Sequence, residues 1–170
     1  MSSPRSIPDP GFPGDDGAVA PEVLGALAAY ERDPAAHHHR TLATVQDTRV
    51  LVPVVAVLGE VEHDEQGLAH DKASDMAAVL MKGRDGRSAL LCFSGNEPLR
   101  TWNPEARPVP VTFRQAARAA LQDGAAALLL DVAGPVLFVV EGEDLEALAA
   151  GHQLVQLQEG RWGWVTTDGS

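Results

Sequence analysis

The chain has 170 residues, 45% of them apolar and 22% charged, which is enough apolar material for one compact core and too little length for two. Its 24 acidic and 13 basic side chains give a formal net charge of -11, so the mean field repels phosphate backbones and anionic lipids, and nucleic acid and membrane are set aside as partners. Cys92 is the only cysteine, which excludes an intrachain disulfide and any multi-cysteine zinc or iron–sulfur site.

Met1 to Gly17 carries Pro4, Pro8, Pro10 and Pro13 and no apolar run that would serve as a signal-peptide core, so residues 1–19 read as a flexible tail before a single domain at 20–166. The cytosol is the expected location. Pro21 opens a helical stripe of Leu24, Leu27 and Ala28, and Asp33-Pro34 stops it and starts a second helix to about Gln46. That helix is expected to face inward through Ala35, His38, Leu42 and Val45.

Val50 to Leu58 is a continuous, largely β-branched run that suits a strand covered on both faces, although Pro53 removes one donor and suggests an edge for its first half. Glu60 to Asp75 is a polar loop with six acids and one lysine, longer than ordinary connections. Met76–Lys82 and Ser88–Phe93 flank Gly83-Arg84-Asp85-Gly86-Arg87 and read as a hairpin turning at Asp85-Gly86. Cys92 lies inside the second of these runs with no basic neighbour, as a small buried hydrophobe.

A short helix follows Ser94, with Leu99 and Trp102 on one side, and Pro104 to Pro110 is extended. Thr112-Phe113-Arg114-Gln115 matches a capping box, followed by an apolar stripe from Phe113 to Leu121 and a stop at Gly124. Strands are expected at Ala126–Val132 and Pro135–Val140, a helix at Glu143–Ala150, and a closing hairpin around Glu159-Gly160. Two hairpins, and helices that do not alternate strictly with strands, imply an α+β fold: a mixed, mainly antiparallel sheet of about five or six strands packed by short helices.

Three phrases in this chain, Leu51-Val52-Pro53-Val54-Val55-Ala56, Asp75-Met76-Ala77 and Gly86-Arg87-Ser88-Ala89-Leu90-Leu91-Cys92-Phe93-Ser94, resemble the SseB N-terminal-domain family in its actinobacterial form. Ala106-Arg107-Pro108-Val109-Pro110-Val111 and Asp131-Val132-Ala133-Gly134-Pro135 extend the resemblance, which spans roughly 20–165. These are phrases of strand and turn, so the resemblance implies a fold and carries over no activity, cofactor or catalytic residue.

No residue pattern here specifies a reaction. Ser94 has no GxSxG setting, and no glycine pattern matches a phosphate-binding loop. His37, His38 and His39 point about 100° apart on a helix and do not converge on one ion. The sharper metal candidates are His63-Asp64 and His70-Asp71 in the acidic loop, a ligand set that suits zinc or manganese. Arg114 and Arg118, spaced i, i+4, form a candidate cationic patch, and Trp162 and Trp164 share one side of a terminal strand that either covers the core or meets a partner. The leading expectation is a non-catalytic protein without a cofactor, acting through a protein partner, a second copy of the chain included. The alternative is a metal- or small-ligand-dependent enzyme using loop 60–75.

Overall fold

A computed structural model describes residues 12, 15–56 and 76–166. Helices α1 (Pro21–Arg32) and α2 (Pro34–Val45) each begin with proline, which has no amide hydrogen to leave unsatisfied in a first turn. Between them, Asp33 accepts the Ala36 amide at 3.3 Å and caps α2. The buried face of α2 is Thr41, Leu42 and Val45, while Ala35, expected to point inward, is exposed because the buried residues of this helix begin only at Thr41.

Strand β1 (Arg49–Ala56) is antiparallel to β5 (Arg107–Thr112) over residues 49–54 and to β2 (Met76–Ala78) over residues 54–56, so its first half has a ladder on one side only, as an edge does, and meets the other side through a single bridge from Leu51 to Phe93. The place of Pro53 has a geometric reason. The Leu51 amide donates to the Phe93 carbonyl at 2.7 Å, on the side of β1 away from β5, and amides two residues apart point the same way. Pro53 faces Pro108 in the register, and Leu51 faces Pro110, so the missing donors fall where the β1–β5 ladder needs none.

A second sheet has the order β3 (Leu80–Lys82), β4 (Ser88–Cys92), β6 (Ala127–Leu130), β7 (Phe138–Glu141). The expected hairpin is present as β3 and β4, with Gly83 N donating to Arg87 O at 2.7 Å; of Asp85 and Gly86, only the glycine has a positive φ, 85°. Residues 76–78, expected in the same hairpin, pair with β1 instead. A reciprocal bridge between Leu51 and Phe93 joins the two sheets. Strands β8 (His152–Gln156) and β9 (Trp162–Thr166) form a separate antiparallel pair around Glu159 and Gly160, both with positive φ. The architecture is α+β with mainly antiparallel pairing, as expected, but divided among smaller sheets rather than built as one.

The continuous apolar run at β4 now has its reason. Leu90 and Cys92 face one way, into a core with Leu42, Val45, Leu128, Phe138, Leu145 and Leu148, while Leu91 and Phe93 face the other, against Leu51 and Leu99. The first core is roofed by α1, α2, α4 (Phe113–Gln122) and α5 (Gly142–Ala149), the second by α3 (Asn96–Trp102). The capping box at α4 is complete, Thr112 Oγ1 accepting Gln115 N at 3.0 Å and Gln115 Oε1 accepting Thr112 N at 2.8 Å. Among the described residues no helix is long and apolar enough to cross a membrane.

Candidate functional site

Strands β4 and β6 run parallel, with Cys92 beside Leu130, so both release their chains at the same end of the sheet. Such carboxyl ends are where open sheets with parallel strands present ligand-binding residues. Asp131 is the first residue past β6. Its amide donates to Cys92 O at 3.0 Å and its φ is 59°, a left-handed turn that carboxylate and amide side chains tolerate best.

That turn sets the Asp131 carboxylate against Ser94, just past β4. Ser94 N donates to Oδ1 at 2.8 Å and Ser94 Oγ to Oδ2 at 2.6 Å, in a pair that is 5% and 1% exposed. Burial raises the Asp131 pKa to about 6, the two bonds from Ser94 drawing it partly back. Burial, then the negative Asp131, also holds the Cys92 thiol well above its ordinary range, so Cys92 is an inert core residue.

The Ser94 carbonyl accepts Arg49 Nη1 at 2.9 Å. Arg49 continues outward to Asp15, Nε to Oδ2 at 2.8 Å, and to the Ala18 carbonyl, Nη2 to O at 2.6 Å. Asn96 N donates to Gly17 O at 2.7 Å, so residues 15–19, assigned by composition to the tail, are strapped across the start of α3. A cleft of about 640 Å³ opens over the Ser94–Asp131 pair, between Leu27 and Glu31 of α1, Glu97 and Pro98 of α3 and the 133–136 turn. A second, more open hollow adjoins it over Gly17 and Asn96, and Leu24, 52% exposed, borders both.

The candidates read from sequence lie elsewhere. His63, Asp64, His70 and Asp71 fall outside the described residues, and among those described no group of three His, Cys, Asp or Glu side chains could hold a metal ion. His38 Nε2 lies 3.0 Å from Asp144 Oδ2 with its ring against Tyr30 and Phe138, and His39 stacks on Trp162. Arg114 is a fastening: Nη1 donates to the carbonyls of Leu148 and His152, Nη2 to Gln153 Oε1, and Nε to Asp47. Arg118 Nε donates to Ala149 O at 3.3 Å. Trp162 and Trp164 pack against the main core, and Trp164 Nε1 donates to Asp144 Oδ1 at 3.3 Å.

Sequence reasoning passed over Asp131 and Arg49 as functional residues. The available signal was an acid ending the apolar run Ala127–Leu130 just before Gly134-Pro135. Its partner stands 37 residues away, a distance no local pattern spans.

Neither the search of curated proteins nor that of solved structures gave a significant match. The SseB protein N-terminal domain matches residues 23–147, a span that runs from α1 to α5, includes Ser94, Glu97 and Asp131, and stops before β8. The chain belongs to the SseB N-terminal domain family.

Proposed function

We propose that this domain is a non-catalytic binding module of the cytosol, which holds a polypeptide partner on the face made by α1, α3 and the 131–136 turn. The observation that carries this reading is the placing of Leu24, a half-exposed leucine at the border of two hollows, on a rigid helix beside a polar floor. A protruding apolar side chain flanked by concavities is what a partner surface engages.

The chemistry of the floor supports binding over turnover. The Ser94 hydroxyl is spent on a carboxylate that the same residue's amide also holds, and among the described residues no imidazole, amine or thiol lines the cleft. The Asp15–Arg49–Ser94–Asp131 chain of contacts keeps that floor rigid, so a partner meets a preformed surface.

A photo-crosslinking amino acid at position 24 of the full chain, expressed in its native cells, tests this. The expected result is one discrete protein adduct whose purified partner binds the unmodified domain, with no such adduct from the same probe at Leu121 or Leu157. Adducts equally abundant from all three positions, or none from position 24, would overturn the proposal.

A further inference from the structure

Asp131 is a buried carboxylate without a cation. Among the described residues no lysine, arginine or histidine forms an ion pair with it, and the Arg49 guanidinium spends its donors on Asp15, Ala18 and Ser94. A carboxylate has about four acceptor positions, and Ser94 fills two. A buried negative charge is costly unless a positive charge or further donors complete it.

The cleft supplies the place for that charge. Its other ionisable lining groups are Glu31 and Glu97, both negative, and the rest of its wall is mainly aliphatic, with Leu24, Leu27 and Pro98. Arg100, one turn along α3, lines the neighbouring hollow, and among the described residues no ion pair ties it to Glu97. Three carboxylates over an aliphatic wall match one occupant chemistry, a positive head on an apolar stem. A coordinated metal is a poorer fit, because no three ligating side chains converge there among the described residues.

We propose that the cleft over Asp131 takes an organic cation, an ammonium or guanidinium group on an aliphatic stem, with the stem along Leu24 and Leu27 and the head between Asp131 and Glu97. A lysine or arginine side chain of the partner polypeptide presents this group, and so does a free alkylamine. The inference rests on the cleft being a binding site, but not on the partner's identity.

The test is an NMR titration of the labelled full chain with three probes: the tripeptide Ala-Lys-Ala, the same peptide with norleucine for lysine, and 1,5-diaminopentane. The lysine peptide is expected to shift the amides of Ser94, Thr101 and Ala133 and to bind about tenfold more tightly than its norleucine counterpart. Glu97→Gln and Asp131→Asn are each expected to weaken it about threefold or more, and Asp131→Asn keeps both contacts to Ser94. Tighter binding of the diamine than of the lysine peptide marks a free amine as the ligand, and the reverse order marks a side chain.

Equal binding of the lysine and norleucine peptides, or no shift at these amides with any probe, would overturn the inference. A captured partner whose binding ignores Glu97→Gln sinks the cation and leaves the binding module. Cation binding with no captured partner does the reverse.

Discussion

Gln46 serves Leu154 as a neighbouring strand would: its Nε2 donates to the Leu154 carbonyl at 3.0 Å and its Oε1 accepts the Leu154 amide at 2.8 Å. Gln46 is 3% exposed and immediately follows α2, so one side-chain amide docks the separate β8–β9 pair onto the helical layer. A two-stranded ribbon is marginal alone, which makes such dockings decisive. Gln46→Ala leaves a buried N–H and C=O unpaired and is expected to cost about 2–4 kcal/mol in urea unfolding. A midpoint unchanged from wild type would contradict this role.

Arg114 fastens the same ribbon from α4. One guanidinium donates to two backbone carbonyls, at 3.1 and 2.6 Å, and to Gln153 at 2.9 Å, a fan that an ammonium does not reproduce. Arg114→Ala is expected to lower stability by about 2–3 kcal/mol and Arg114→Lys by more than half as much, with faster hydrogen exchange at residues 152–156 in both. Full protection of those amides in Arg114→Lys would show that charge alone suffices.

The Asp131 pKa gives stability a definite pH slope. Raised from 3.8 to about 6 by burial, the group binds its proton more tightly in the native state, so its contribution to stability falls as pH rises through that window and is flat above it. The loss is on the order of 2–3 kcal/mol. Asp131→Asn keeps an acceptor for the Ser94 amide, donates in its turn to the Ser94 hydroxyl and suits the left-handed φ of 59°, so its stability relative to wild type is expected to climb between these pH values. Asp131→Ala orphans the Ser94 amide and hydroxyl and is expected to cost about 2–4 kcal/mol relative to Asp131→Asn at every pH, with the same climb relative to wild type between these values. Parallel pH profiles for wild type and Asp131→Asn would contradict the assignment.

Gly95 is required by space rather than by its dihedrals. Its φ of -171° suits any residue, but a Cβ there would lie 2.7 Å from Val19 Cγ2 and 2.8 Å from the Gly17 carbonyl. Gly95→Ala is therefore expected to lift residues 15–19 off α3, costing about 1–3 kcal/mol and speeding proteolysis near Ala18. Wild-type cleavage kinetics would show that the strap does not depend on this contact.

Local patterns were legible where their physics is local. The Thr112–Gln115 capping box, the β3–β4 turn and the stripe of α4 follow from side-chain spacing, and each stands where its residues put it. Pro53 pointed to an edge, and the first half of β1 has a ladder only with β5; which way the proline nitrogen faces is set by the partner register Pro53–Pro108, which the sequence of β1 alone does not contain. Arg114 looked like a free cation because its acceptors, Leu148 and His152, lie more than thirty residues on. The Ser94–Asp131 pair exists only because β4 and β6 run side by side in parallel, a pairing that nothing within either segment encodes.

Hydrogen exchange of the full chain, with and without the partner captured through position 24, tests the binding face most directly. Protection concentrated at residues 21–32, 94–102 and 131–136 is the result expected of a module that binds over Ser94 and Asp131. Protection confined to the ribbon bearing Trp162 and Trp164, with the cleft segments exchanging as in the free chain, would contradict it.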